Sequence, residues 1–542
     1  MDRIRAKKSL KIAGICVAIL VILVIAGLSI YSVAAYAPLR ANIDLQAEEQ
    51  TLGGFGASSA WIYQELGLPQ YEEQANRAID MLYGDDGLEL NIFRYNIGGG
   101  SADAALDSVW PYNSGAIDRA RRAESFFIAE NYDAPEDFLK EENYDFDGRD
   151  VAVQGMLKRA LDTGNITRVV FFANSPHYLM TLSGVCTGEY EYQNNLNPDF
   201  YDEYSEYLLI CVKGLYDKYL ADMPQVEVLI SPVNEPQWKW GGEGSTQEGC
   251  HYDADVLAAF YDVFFEKLDE FNLENGTSFK ADVFESGNYK FYLIDDDIRN
   301  YLEEMSKYDY FERIEEISVH AYGAEDSKAH RRRFASFMDK NYPNIAVTST
   351  EFCELQGGEF NTIESGMLLA KVVLRDLTMI NATQWSWWLS VAKGGYNDGL
   401  VYWNQEREPD IWVLKRYYTF GQMTKFLEEG DVRVQCKLSD TTGWAGVDIG
   451  VFKKSDGSVT AVIINDGRAK DLKLNGLEEF SNTSVSVTTT TQEKNWEESS
   501  AVFSGSVHLE EDSVTTFVFG AMNCQTKCNT WKDFLGTNLA VF

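Results

Sequence analysis

Val226-Glu227-Val228-Leu229-Ile230-Ser231-Pro232-Val233-Asn234-Glu235-Pro236 and Ile345-Ala346-Val347-Thr348-Ser349-Thr350-Glu351-Phe352 are the two stretches whose reading decides the fold. Each is a β-rich run without helical spacing, and each ends on a glutamate. Both carboxylates are therefore expected where a buried strand stops. Taken singly, either residue would read as an ordinary exposed acid, because the chain holds 84 acidic residues. The strands around them change that reading.

Working outward, strand patterns end near residues 53–60, 91–96, 169–175, 228–235, 282–286, 317–322, 347–351 and 383–388. Helical patterns separate several of them, at 72–83, 151–163, 201–219, 254–272, 297–305, 329–341 and 365–379, with 416–428 after the last. Parallel strands need crossover helices, and eight such steps close a sheet. The alternation predicts an α/β fold, a (β/α)8 TIM barrel over residues 53–430. Chemistry in such barrels sits at the C-terminal ends of the strands. Glu235 ends the fourth and Glu351 the seventh. A carboxylate pair there suits cleavage of a glycosidic bond, one as proton donor and one as nucleophile or base. On the residues alone Glu285, which ends the fifth strand, competes with Glu351.

After Gly430 the texture changes to short strands at 432–434, 447–452, 459–465, 485–490 and 514–519, with turns at Asp456-Gly457 and Asp466-Gly467. This predicts an antiparallel β-sandwich side domain over 431–520, joined by an N-terminal strand within 38–52. No Pro/Ser-rich linker precedes it, so it is expected to pack rigidly on the barrel. The tail, 521–542, carries no reading.

The chain has 47 basic and 84 acidic residues, a net charge of −37. Such a surface excludes nucleic acid and anionic lipid as partners and suits a neutral polysaccharide or oligosaccharide. The basic residues Arg3, Arg5, Lys7, Lys8 and Lys11 form a cytoplasmic n-region over 1–11, ahead of a run from Ile12 to Leu39 without charge. Residues 12–37 read as an uncleaved signal anchor or as a signal peptide cut after Ala35-Tyr36-Ala37. Pro38 after the cut, and the length of the run, favour the anchor. Either way the remainder is expected outside the cytoplasm, at the cell surface or secreted, as a monomer. Cys186 and Cys250 lie in polar loops after strands, and a disulfide between them is expected in an oxidising compartment. Cys211 and Cys436 read as buried thiols. Cys524 and Cys528 lack partners at zinc-site spacing, so no metal is expected, nor any other cofactor. Gly98-Gly99-Gly100 lacks the Lys and Thr of a phosphate loop.

Gly53-Gly54-Phe55-Gly56-Ala57-Ser58, Phe93-Arg94-Tyr95-Asn96-Ile97-Gly98-Gly99-Gly100, Asn174-Ser175-Pro176, Pro232-Val233-Asn234-Glu235-Pro236, Ser318-Val319-His320-Ala321-Tyr322, Thr350-Glu351 and Gln384-Trp385-Ser386-Trp387-Trp388 together resemble glycoside hydrolase family 30. The order and spacing agree from about residue 43 to 519. Asn174-Ser175-Pro176 with Met180-Thr181-Leu182-Ser183-Gly184, and Gln247-Glu248-Gly249-Cys250, most resemble its endo-β-1,6-galactanase branch.

The resemblance implies a retaining, two-glutamate O-glycosyl hydrolase, with Glu235 as general acid/base and Glu351 as nucleophile. It places Asn234 on the sugar 2-hydroxyl and Arg94 on Glu351. Asn174 joins the substrate-binding set, Tyr322 brings a hydroxyl near the nucleophile, and Trp387 forms a sugar platform. His320 reads as a hydrogen-bonded strut. Endo-β-1,6-glucanase, xylanase and glucosylceramidase are the alternatives within the family. A surface carbohydrate-binding protein that does not cut is the alternative outside it.

Overall fold

The computed structural model describes residues 39–103, 121–188, 194–241, 246–290, 296–440 and 443–520. The segment expected over 12–37 and the tail over 521–542 lie outside these residues. Among the described residues no helix is long and apolar enough to cross a membrane.

The barrel strands are β2 (Gly54–Ser58), β3 (Ile92–Ile97), β4 (Arg168–Ala173), β5 (Glu227–Ser231), a split fifth strand made of β6 (Lys280–Ala281) and β7 (Val283–Ser286), β8 (Glu316–His320), β9 (Ala346–Glu351) and β10 (Gln384–Ala392). Neighbours run parallel in this order, and β10 returns to β2 with Trp385 opposite Phe55. β6 pairs with β5 and β7 with β8. The seam between β5 and the fifth strand closes through Asp282 N–H to Ile230 O, Glu285 N–H to Val233 O and Glu235 N–H to Glu285 O. Each step carries its crossover helix: α1 (Glu72–Tyr83), α2 (Val151–Asp162), α3 (Tyr201–Tyr219), α4 (Ala254–Asn275), α5 (Asp297–Met305), α6 (Lys328–Asn341), α7 (Ile363–Met379) and α8 (Lys415–Thr424). The barrel strands are almost wholly buried, as strands with helices outside and packed side chains inside must be. A short hairpin, β11 (Gly399–Trp403) with β12 (Ile411–Val413), precedes α8 and was not visible in the sequence pattern.

Two irregularities set the site. Val283 pairs with Ile317 and Glu285 with Ser318, leaving Phe284 as an extra residue at φ +23°. The bulge brings Asp282 to Ser318 and Glu285, three residues on, to His320, both on β8. Phe284 N–H, lost to the ladder, donates to the Tyr261 hydroxyl on α4 at 2.7 Å. On β9, Val319 pairs with Ser349 and His320 with Glu351, so Thr350 is extra. That lets consecutive side chains, Thr350 and Glu351, both reach the barrel mouth.

The side domain is a nine-stranded sheet. Its strands are β1 (Arg40–Thr51), β13 (Val432–Leu438), β14 (Val447–Lys453), β15 (Val459–Asn465), β16 (Lys470–Asn475), β17 (Ser484–Thr490), β18 (Glu497–Val502), β19 (Ser506–Leu509) and β20 (Ser513–Phe519). β1 pairs antiparallel with β13 and parallel with β16, so the N-terminal strand lies within this sheet and the sheet is not wholly antiparallel. Phe452, Val462, Ile464 and Val514 share the apolar cluster of the barrel. Trp496 Nε1 donates to Tyr418 O at 2.6 Å and Arg375 pairs with Asp448 at 2.9 Å across the same boundary.

Candidate active site

Glu235 follows β5 by four residues at φ +48°, a conformation that is costly for a side chain with a Cβ and is held here by the Glu285 backbone. Glu351 is the last residue of β9. The two line one cavity of about 310 Å³ together with Trp61, Trp238, Trp240, Tyr322 and Trp388. One carboxylate oxygen of each and a ring nitrogen of His320 lie within 4.8 Å of one another.

The surroundings of the two acids differ. Glu351 Oε2 accepts from Arg94 Nη1 at 3.4 Å and Oε1 from the Tyr322 hydroxyl at 2.9 Å. Glu235 Oε1 lies 3.0 Å from His320 Nδ1. Burial, followed by the Glu235 charge, raises the Glu351 carboxyl from 4.5 to about 7, against the pull of His320 and Arg94. The hydrogen bonds from Arg94 and Tyr322 favour the Glu351 anion and work against that rise. Burial lowers the His320 imidazolium, but the Glu351 charge and hydrogen bonds to Glu235 and Glu285 outweigh it, to about 10. Tyr322 stays protonated, its hydroxyl raised well above the ordinary value chiefly by burial.

Asn234 lines the cavity beside Glu235. Its Nδ2 donates to Asn174 Oδ1 at 2.9 Å, and Asn174 Nδ2 donates in turn to Asn96 Oδ1 at 3.1 Å. This chain fixes the amide so that Asn234 Oδ1, without a hydrogen-bond partner among the described residues, is left as the acceptor. Asn174 stands behind Asn234 and does not line the cavity. Arg94 likewise sits behind Glu351, fully buried, its guanidinium 4.4 Å over the Phe172 ring.

Besides Asn174, two expectations need correction. Trp387 is 1% exposed and donates Nε1–H to Asp398 O at 2.6 Å, in the core behind the cavity. The ring at the cavity is that of Trp388, which meets Trp61 edge-on at 5.2 Å. Cys186 and Cys250 are free buried thiols, not a disulfide. The Cys186 thiol donates to Gly99 O at 2.9 Å and that of Cys250 points to His251 O at 3.7 Å, so each sulfur is turned to a backbone acceptor. The two loops do meet, through Gly249 N–H to Cys186 O at 2.8 Å.

Several lining groups were not singled out from the sequence. Trp238 and Trp240 follow Glu235 closely enough to be suspected, and Trp240 Nε1 donates to the Glu235 carbonyl at 3.1 Å. Trp61 and Arg121, stacked 4.6 Å apart, carry no local signal. Glu285 is no rival nucleophile: it is fully buried, outside the cavity, and paired with Arg94. Glu248, at the end of the same loop as the tryptophans, accepts from Gly99 N–H at 3.0 Å and Ser101 N–H at 3.2 Å, giving the glycine run a structural partner.

With this geometry in view, residues 38–402 match O-glycosyl hydrolase family 30, more than half of the chain. An endo-β-1,6-galactanase of Hypocrea rufa is 23% identical over 416 residues, 74% of this chain and 78% of that enzyme. An exo-β-1,6-galactobiohydrolase of Bifidobacterium longum is 30% identical over 229 residues, 37% of this chain and 14% of that enzyme. The crystal structure of a conserved exported protein from Bacteroides fragilis shares the fold, with a TM-score of 0.72 at 23% identity over 88% of this chain and 100% of that one. The chain therefore belongs to O-glycosyl hydrolase family 30 and is an O-glycosyl hydrolase.

Proposed function

We propose that the protein is a retaining endo-β-1,6-galactanase working by double displacement. The observation that carries the mechanism is the pair Glu235 and Glu351: two carboxyl groups with oxygens within 4.8 Å, on one cavity, each with different partners. Retaining enzymes hold their carboxyls roughly 5–5.5 Å apart, whereas inverting ones leave room for a water between them. Glu351, anionic and held by Arg94 and Tyr322, attacks the anomeric carbon. Glu235 protonates the departing glycosidic oxygen. A glycosyl ester on Glu351 results, and Glu235, now the base, takes a proton from the water that cleaves it. Asn234 Oδ1 accepts from a sugar hydroxyl beside the scissile bond, and Trp388 offers a ring to the sugar face.

The choice of β-1,6-galactan rests on the sequence motifs that resemble that branch and on the two relatives whose names carry this linkage. Its site of action is proposed outside the cytoplasm, anchored or released through residues 12–37. The test is a screen of β-1,6-galactan, β-1,6-glucan, xylan and glucosylceramide, with products followed by chromatography and NMR. Short β-1,6-galacto-oligosaccharides, released first as the β anomer, are expected. Preferential cleavage of another polymer overturns the galactan choice. Binding of galactan with no release of sugar overturns the enzyme mechanism.

A further inference from the structure

The proposed chemistry uses Glu235 and Glu351 but leaves a third buried glutamate, Glu285, unassigned. Its Oε2 pairs with Arg94 Nη2, accepts from Thr350 Oγ1 at 2.9 Å and lies 3.2 Å from His320 Nε2. Arg94 and His320 are the two groups that reach on to the acids at the cavity: Arg94 to Glu351, His320 Nδ1 to Glu235 at 3.0 Å and to Glu351 at 3.7 Å. Both bulges described above serve this contact set, one turning Glu285 inward and the other freeing Thr350 to meet it. We propose that Glu285 is a positioning residue: it anchors both cations that touch Glu351 and Glu235, and thereby fixes the single proton that those two acids share. This deepens the proposed function and rests on its assignment of the two acids.

The charge count supports it. Arg94 and His320 face four carboxyl groups: Glu235, Glu285, Glu351 and Asp282. Burial raises Glu285, but Arg94 and His320 outweigh it and bring it down to about 2, so it is ionised. Asp282, bonded to Ser318 Oγ, is driven well above its ordinary value by burial and then by the Glu285 charge, which disfavours its anion. Two positive charges then balance Glu285 and one more anion, which leaves one charge and one proton for the pair Glu235 and Glu351. That is the state retaining hydrolysis starts from. The other groups facing this network do not alter the count. Tyr322 and Tyr261 are raised far above neutrality by burial, and Glu316, beyond Asp282, has Arg168 at 3.7 Å. With Glu285 opposite Nε2, the ring is held as a donor at both nitrogens. Nδ1–H then supports the proton donor without taking its proton.

Two measurements test this, and the first needs no activity. The protein has five histidines, so the His320 imidazole can be followed by NMR with labelled histidine and assigned by His320→Gln. It should be an imidazolium at neutral pH, and in Glu285→Gln it should lose its proton at a pH lower by roughly one to three units. The second is the pH profile of kcat/KM on an aryl β-glycoside. In Glu285→Gln the basic limb should move to lower pH, because His320 loses an anion that favours its proton; Glu285→Asp should restore much of the position. A neutral His320 at pH 7 in the unaltered protein overturns the proposal even if Glu285→Gln does not fold. So does a profile that drops uniformly without moving. An unaltered protein that cuts no glycoside removes the proposed function, while the His320 titration still decides the placement of charge.

Discussion

Replacing Arg94 with methionine probes the electrostatic core of the barrel mouth. Arg94 is fully buried, bonded to Glu285 and Glu351, and stacked on Phe172. Methionine fills similar space but removes the cation, leaving two buried carboxylates with only His320 between them. Breaking a buried ion pair from one side costs about 3–5 kcal/mol, and the lost cation–π contact falls within that range. The pH dependence has a definite sign. Glu285 is depressed in the folded protein from 4.5 to about 2, with Arg94 the leading opponent of burial. Its contribution is therefore present above about pH 4.5 and disappears as pH falls toward 2. Urea unfolding followed by tryptophan fluorescence should show the full deficit at about pH 7 and a markedly smaller one at about pH 3.5. A variant as stable as the parent at neutral pH, or a deficit that does not shrink in acid, would refute the reasoning.

Tyr322→Phe removes a hydroxyl donor to Glu351, which favours its neutral form; the acid limb of kcat/KM should rise above its present position, with a loss at neutral pH of about tenfold to 100-fold, equivalent to a charged hydrogen bond of about 1.5–3 kcal/mol. Trp387→Ala should lower stability by about 3–5 kcal/mol as a core truncation, whereas Trp388→Ala should raise KM for oligosaccharides with a smaller loss of stability, as read by denaturation and steady-state kinetics. Gly287→Ala would drive a Cβ into Trp238 Nε1 and set it 2.7 Å from Glu235 Oε1, so the acid must move. A fall in kcat/KM of about 100-fold is expected with the melting point little changed.

The large outlines were legible because they follow from repeated chemistry. β-Branched runs alternate with helical spacing eight times, and the glutamates stand at strand ends in the fourth and seventh runs. The local geometry was not legible where the repeat is silent. All nine residues of β10 are buried, so no alternation tells Trp387 from Trp388. The extra residues Phe284 and Thr350 shift a parallel ladder by one position, which leaves no mark on composition, so Glu285 could not be separated from the nucleophile by its residues alone. The loops bearing Cys186 and Cys250 meet without a disulfide, because the direction of each thiol depends on backbone acceptors that spacing does not encode. Short strands such as β18, exposed at every residue, read as loop.

The central claim is the division of labour between two glutamates, and azide rescue tests it most directly. Glu351→Gly should be inactive, and with azide and an activated aryl glycoside it should yield the α-glycosyl azide, by a single displacement. Glu235→Ala should still form the glycosyl ester with a good leaving group, and azide should then release the β-glycosyl azide. Full activity in either variant, or the α-azide arising from Glu285→Gly instead of Glu351→Gly, would contradict the account.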